Sequence, residues 1–242
     1  MLDDREGNHE PAKFADRREA GQELAAKLRR YAGRDDVVVL ALPRGGVPVA
    51  FEVAESLNAP LDIFLVRKLG MPGHPELAMG AIASGGVRIM NDDVVRWYDI
   101  SDRAIEAVAQ AEQRELERRE HEYRQGHALS DLRNRIVILV DDGLATGSTM
   151  RAAVQAVRQH RPARVVVAVP VGAPSTCEEF ADVTDETVCA RTPEPFSAVG
   201  LWYRDFSQTS DEEVCQLLDE HARSRANGRQ RVPGTAAGRS HG

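Results

Sequence analysis

The chain has 242 residues, 42% of them hydrophobic and 29% charged, enough for one α/β domain with a sizeable core or two small ones. Lys plus Arg number 31 against 38 Asp plus Glu, a formal net charge of −7. That balance argues against a general nucleic-acid binder, which carries a basic face, but a helix terminus and one or two cations still suffice to hold a small phosphorylated ligand. The first residues, MLDDREGNHEPAK, are too acidic and polar for a signal peptide, and the apolar runs are strand-sized, so a cytoplasmic protein is expected. Cys177, Cys189 and Cys215 show no Cys-x-x-Cys spacing and read as structural thiols in a reducing compartment.

In chain order, residues 1–13 have little to bury and are expected to be disordered. Asp16 and Glu19 have the form of a capping box, and Ala20, Leu24, Leu28 and Tyr31 recur at helical spacing, which predicts a helix over 16–32 stopped by Gly33. Val37–Leu42 is a buried strand entering Pro43-Arg44-Gly45-Gly46. A helix begins near Val47, with Pro48 in its first turn, and Asn58 and Pro60 stop it. Leu61–Val66 is the second strand, with Arg67 and Lys68 at its carboxyl end. The segment 69–80 contains Gly70, Pro72, Gly73, Pro75 and Gly80 without a period, and it reads as a long mobile loop. His74 and Glu76 in it could act as acid or base, but lone residues in a Gly/Pro-rich loop are more often solvated. Ala81–Ala83 and Val87–Met90 flank Ser84-Gly85-Gly86 as a hairpin.

Residues 101–124 predict a solvated helix whose Glu115/Arg119 and Glu120/Arg124 pairs lie four apart. Then comes IVILVDDGLATGSTM, residues 136–150: five apolar residues, Asp141 and Asp142, a loop of small residues, and Ser148-Thr149 opening a helix to about His160. Arg164–Val169 is a further buried strand, 174–181 a short helix, and Thr187–Cys189 the last strand. Ser210 and Glu213 form a second capping box for a closing helix with Val214, Leu217 and Leu218 on its face. The domain expected is a single one over 14–223, with a small hood at 190–208 and a disordered tail over 224–242.

Strands alternating with helices predict an α/β fold, a doubly wound, mainly parallel sheet flanked by helices. Ligands of such sheets bind beyond the carboxyl ends of the strands, where three loops meet. Gly45-Gly46 lets backbone approach an anion, with Arg44 beside it. Arg67 and Lys68 add positive charge. The third loop offers two carboxylates for sugar hydroxyls or a metal, and a Gly/Thr/Ser cradle at a helix N-terminus for phosphate. Two anion sites flanking a diol-or-metal site suggest a ligand with phosphate at both ends. A Walker B strand would need a G-x-x-x-x-G-K-[ST] partner and a dinucleotide site a G-x-G-x-x-G; the sequence has neither.

The stretch VILVDDGLATGST closely resembles the phosphoribosyl-pyrophosphate (PRPP) signature of type I phosphoribosyltransferases. LPRGG resembles that family's pyrophosphate loop, RGG in particular its xanthine-guanine branch, and VRKLG resembles the arginine-lysine pair of its adenine branch. The likeness covers roughly residues 14–222 and is nearest to a group of unassigned substrate that shares the F-x-D-R-x-x-A-G opening and the W-Y-x-x-F close.

The resemblance implies the type I phosphoribosyltransferase fold with a hood and a flexible lid at 69–80. It implies transfer of a 5-phosphoribosyl group between PRPP and an acceptor, a nucleobase, with Mg²⁺ and pyrophosphate as leaving group, as in nucleotide salvage. Asp141 and Asp142 would hold the ribose 2- and 3-hydroxyls, directly or through the metal. Ala145, Thr146, Gly147, Ser148 and Thr149 would wrap the 5-phosphate. Arg44, Gly45, Gly46, Arg67 and Lys68 would bind pyrophosphate, in a loop that in this family often contains a non-proline cis peptide. Arg44, Lys68, Asp141 and Asp142 would carry the catalysis. Trp202, Tyr203 and Phe206, with Phe196, are the aromatic candidates for stacking the acceptor, and a homodimer is the expected assembly. A PRPP- or nucleotide-binding regulator without turnover is the alternative.

Overall fold

The computed structural model describes residues 12–230. In chain order it forms α1 (Arg17–Lys27), a 3₁₀ turn (Arg29–Tyr31), β1 (Val37–Ala41), α2 (Gly46–Leu57), β2 (Leu61–Ile63), β3 (Val66–Met71), β4 (His74–Ala83) and β5 (Val87–Met90). There follow α3 (Asp92–Trp97), α4 (Asp102–Arg124), β6 (Ile136–Val140), α5 (Ser148–Gln159), β7 (Arg164–Val171), α6 (Pro174–Ala181), β8 (Glu186–Arg191), a 3₁₀ turn (Val199–Trp202) and α7 (Asp211–Gln230).

The main sheet has the order β2-β1-β6-β7-β8 and every pairing in it is parallel. The central strands β1, β6 and β7 read as nearly unbroken apolar runs because both faces are covered. Val37, Val39, Ala41, Ile136, Ile138 and Val140 face a core shared with α1, α2, α4 and α7. Val38, Leu40, Val137, Leu139, Val165 and Val167 face a second core with α5 and Phe180 of α6. The expected mainly parallel sheet between helical layers is therefore present. Local signals act where the sequence places them. Asp16 accepts from the backbone N–H groups of Arg18 and Glu19, Asn58 closes α2 at φ 51°, and the Ser210 hydroxyl accepts from the Glu213 amide.

The segment read as a long loop is instead an antiparallel arm. The main-sheet strand stops at Ile63. Phe64 still donates to the Ala41 carbonyl at 2.9 Å, but Leu65 donates to Ser84 Oγ and accepts from the Ser84 amide. The chain is thus handed from one sheet to another, and β3, β4 and β5 form a separate three-stranded sheet. The glycines that mimicked a loop serve the pairing. Gly73 turns the hairpin at φ 81°, and a Cβ on Gly70 would meet the Pro75 carbonyl at 2.6 Å. The expected hairpin around Ser84–Gly86 is the β4–β5 connection. The short helix α3 lies outside the sequence expectations.

Two further readings change. Cys177 on α6 and Cys189 on β8 are joined by a disulfide across a Cα separation of 6.6 Å, whereas Cys215 is free. The closing helix continues to Gln230, past the Ser224 boundary. Polar contacts carry it where the apolar stripe lapses, with Ser224 bonding Glu55 and Arg225 donating to the Asn58 carbonyl at the end of α2. Residues 1–11 and 231–242, most of the expected disordered ends, lie outside the described residues. Among the described residues no helix is long and apolar enough to cross a membrane.

One buried ion pair ties α4 to the edge of the main sheet. Arg124, 8% exposed, donates to Asp62 Oδ1 at 2.8 Å and to the Ile63 carbonyl at 2.6 Å, and it also pairs with Glu120. Asp62 Oδ2 in turn accepts from the Ser130 amide and hydroxyl. The helical pair expected from sequence is real, but the guanidinium is buried rather than solvated. Breaking one side of such a pair strands a buried charge, at a cost of about 3–5 kcal/mol. Arg124→Ala is expected to lose about that much in urea unfolding; a loss under about 1 kcal/mol, the range of an exposed pair, would contradict the assignment.

Candidate functional site

The rim formed by the carboxyl ends of β1 and β6 brings the first and third loops together. Leu42 donates to the Val140 carbonyl at 2.9 Å, so the two strands leave the sheet side by side. The Pro43–Arg44 peptide is cis, and Gly45 and Gly46 turn directly into α2. A Cβ on Gly45 would lie 2.1 Å from Asp142 Oδ2, and one on Gly46 would lie 2.7 Å from the Val140 carbonyl oxygen. Only glycine lets this backbone lie against the acid pair.

Asp141 and Asp142 each have one oxygen engaged. Asp141 Oδ1 accepts the Asp142 amide at 2.8 Å. Asp142 Oδ2 accepts from Arg17 Nε and lies 2.9 Å from Arg17 Nη2. The other oxygens, Asp141 Oδ2 and Asp142 Oδ1, take no hydrogen bond from a described residue. Burial pushes the Asp141 carboxyl well above the usual range, and the neighbouring charge of Asp142 adds to it. Burial also raises Asp142, opposed by the Arg17 guanidinium.

The phosphate-type loop follows. Leu144 is pinned to the end of β7 by bonds to Val171 and from Ala173, and Thr176 on α6 donates to the Ala145 carbonyl at 2.7 Å. Gly147 takes φ 70°, and a Cβ there would meet Phe180 Cε2 at 2.5 Å. No side chain caps α5, so the first amides of that helix face outward with its positive dipole end. Ala145, Thr146, Ser148 and Thr149 are exposed around them.

The structure separates the expected Arg67–Lys68 pair. Strand alternation sends them to opposite faces of β3. Arg67 pairs with Glu112 of α4 at 2.7 Å, away from the phosphate-type loop. Lys68 lines a cavity of about 740 Å³ between the arm and α5 together with Ser148 and Thr149, and its Nζ lies 3.5 Å from Glu76. Arg44 leans toward Asp211 at 3.7 Å.

The hood aromatics occupy three different situations. Tyr203 is buried and donates its hydroxyl to the Asp142 carbonyl. Trp202 stacks on Phe196 at 6.4 Å. Phe206 is partly exposed, with the Arg17 guanidinium carbon 4.0 Å from its ring centre. Arg17 is the site residue the sequence reading missed. It lies 125 positions from Asp142 in the chain, and the signal that could have flagged it is its place in the shared F-x-D-R opening.

Hard carboxylate oxygens suit Mg²⁺, which binds through one or two carboxylates plus ligand phosphates. Among the described residues no cluster of three or more His, Cys, Asp or Glu could hold a metal by itself. Asp141 and Asp142 therefore fit a metal completed by ligand oxygens and water.

An acid whose folded pKa is raised is favoured in its protonated form by the fold. The stability it confers is full below its unfolded value of about 3.9 and is lost as pH rises toward the folded value. Asp141→Asn keeps an acceptor for the Asp142 amide but cannot ionise. In ligand-free thermal unfolding, the variant is expected to gain on wild type steadily from about pH 4 upward, by a few degrees for each kcal/mol removed. A pH-independent difference would contradict the burial penalty.

Residues 15–190 match the phosphoribosyl transferase domain family model. The chain is 52% identical over 206 residues to the protein Rv0571c of Mycobacterium tuberculosis strain H37Rv, provisionally named a phosphoribosyl transferase. The match covers 85% of this chain and 46% of that one, so the chain spans less than half the length of this curated relative. The crystal structure of the protein TT1426 from Thermus thermophilus is similar with a TM-score of 0.76 and 43% identity, over 86% of this chain and 98% of that one. With an acid pair, an uncapped phosphate-type loop and a Gly-Gly loop on one rim, and a family match over most of its length, the chain belongs to the phosphoribosyl transferase domain family.

Proposed function

We propose that this chain transfers the 5-phosphoribosyl group between PRPP and a nucleobase, with Mg²⁺ bound alongside the donor. The observation that carries the reading is the contact of three unlike tools. Two carboxylates, each with one oxygen open to a ligand, lie between an uncapped helix N-terminus and a glycine loop that no side chain could enter. A ligand with a diol in its middle and phosphate at each end matches that order.

In this reading Asp141 Oδ2 and Asp142 Oδ1 accept the ribose hydroxyls. The amides opening α5 and the hydroxyls of Thr146, Ser148 and Thr149 hold the 5-phosphate. The backbone of Gly45 and Gly46 lies along the pyrophosphate, with Arg44 and Lys68 as mobile cations. Arg67 is committed to Glu112, so its help requires that pair to open. Bound Mg²⁺ would supply positive charge to the pyrophosphate oxygens.

The bond from C1 of the ribose to the pyrophosphate oxygen breaks, and the electron pair leaves with pyrophosphate. A nitrogen of the acceptor forms the new bond to C1, and its proton passes to solvent or a nearby base. Between the two events C1 carries cationic character, so preorganised anions near the ribose and cations near the leaving group act on charge that develops only then. The arm, which brings Lys68 to the phosphate-loop side, is the segment placed to exclude water. The hood offers Phe206 as its exposed aromatic face beside Arg17, with Tyr203 packed against it and Trp202 stacked on Phe196.

Calorimetry of PRPP binding with and without Mg²⁺ tests the donor half. Wild type is expected to bind with Mg²⁺, and the Asp141→Asn/Asp142→Asn double variant to bind at least about 100-fold more weakly, the ~2.7 kcal/mol of two lost charged hydrogen bonds. Equal binding by both, or none by wild type, would sink the donor assignment. A pyrophosphate-release screen over free purine and pyrimidine bases tests the acceptor half. Turnover with one base supports transfer, and donor binding without turnover on any base supports a sensor instead.

A further inference from the structure

We infer that Arg17 is a positioning residue for the donor site: it clamps one oxygen of Asp142 so that the other is presented to the ribose, and it fastens the hood to that acid. The inference rests on the phosphoribosyl reading above, because it takes Asp142 to be a ribose acceptor.

The geometry is specific to one side chain. Arg17 opens α1, where the capping of Asp16 fixes the helix start. Its Nε and Nη2 both address Asp142 Oδ2, each at 2.9 Å, and neither addresses Oδ1. Its Nη1 donates to the Ser207 carbonyl at 2.7 Å. Its flat face covers Phe206 at 4.0 Å and reaches Tyr203 at 6.0 Å. The Arg17 side chain is 11% exposed and that of Asp142 16%. An ion pair this sheltered is not screened away as a surface pair is.

Three consequences follow from chemistry. A lone buried carboxylate beside Asp141 would have freedom to rotate away from its neighbour or to protonate; a guanidinium on one oxygen opposes both. Gly45 lies against the same oxygen, so the clamp also holds Asp142 at the glycine loop rather than across it. Because the same guanidinium bonds Ser207 and stacks on Phe206, any shift of the hood is felt at Asp142. Lysine could replace the charge but not the planar fork or the stacking.

The backbone frames this arrangement. Phe14 donates to the Trp202 carbonyl, Arg204 to Phe14 and Asp205 to Ala15, at 2.8–2.9 Å. The first and last motifs of the domain are thus laced together on either side of Arg17. The packing alone could be served by an apolar residue. The orientation of two guanidinium nitrogens toward a single carboxylate oxygen could not.

The test is a double-mutant cycle read by PRPP binding in the presence of Mg²⁺, with folding checked by circular dichroism and thermal unfolding. Arg17→Gln is expected to bind PRPP about tenfold more weakly than wild type, equivalent to about 1.4 kcal/mol, and Arg17→Lys to recover part of that loss. In an Asp142→Asn background, Arg17→Gln should change binding less than about twofold, because the acid it positions no longer carries charge. Phe206→Ala removes the ring that Arg17 stacks on, though Phe206 also packs on Tyr203; it should weaken binding by less than Arg17→Gln does, with the loss disappearing in the Asp142→Asn background, and it keeps the inference testable if Arg17→Gln does not fold. Equal losses from Arg17→Gln in both backgrounds, or unchanged PRPP binding in Arg17→Gln and Phe206→Ala, would overturn it. Absence of PRPP binding by wild type would remove the phosphoribosyl reading and this inference together, which distinguishes that failure from a failure of the clamp alone.

Discussion

Two carboxylates held side by side at the end of a buried strand, balanced by the guanidinium of Arg17, set the terms for the rest of this fold. Burial and mutual repulsion raise Asp141, and burial raises Asp142 despite Arg17. Folding must offset that penalty elsewhere, and it does so with a main sheet whose β1 and β6 are wholly buried and packed on both faces. The same constraint reaches the neighbouring loop. The glycine pair exists because Oδ2 of Asp142 and the Val140 carbonyl leave no room for a side chain. The parallel pairing of β1 with β6 brings these loops together, so the site is a consequence of strand order as much as of motif. Such a penalty retained at a cluster of polar groups in a rim is the pattern expected where function and stability compete.

Charge follows the same constraint. In a chain of net charge −7, the proposed anion contacts are backbone amides and glycine approaches, which carry no formal charge. The cations nearby are each tethered to a carboxylate: Arg44 to Asp211, Lys68 to Glu76, Arg67 to Glu112 and Arg17 to Asp142. The Lys68–Glu76 pair is exposed and contributes little, so Lys68 can turn to a phosphate at small cost. The sheltered Arg17–Asp142 pair is the tighter one, which is why its role is to hold rather than to move.

Much of this was legible in the sequence because the central parallel strands, covered on both faces, are apolar along most of their length. The readings of Val37–Leu42, Ile136–Val140 and Arg164–Val169 as buried strands therefore match β1, β6 and β7 to within two residues, without partners in view. The loops between them read through the chemistry of their residues: paired acids, small hydroxylated residues and a Gly-Gly step. The arm did not read, because β3 and β4 are paired through glycine and proline positions that in isolation signal a turn, with register shifts after Leu69 and Gly70. Nor did the opposite facing of Arg67 and Lys68, which depends on the segment being a strand. The Cys177–Cys189 bridge was hidden for another reason: its 12-residue separation carries meaning only once α6 is laid against β8.

Arg17 is the sharpest case of what local reading leaves out. Next to Asp16 it looks like any helix-opening cation on a solvated turn. Its meaning comes from residues 142, 206 and 207, which the fold alone brings to it. The N-terminal segment and the hood are joined by backbone bonds around Phe14 and Trp202, so each satisfies the other's backbone groups. Once joined, they enclose a guanidinium that faces the acid pair on one side and an aromatic ring on the other. A substitution in the hood then has a physical route to the Asp142 carboxylate through Arg17, beside the bond from the Tyr203 hydroxyl to the Asp142 backbone, without any change in the strand that carries the acid.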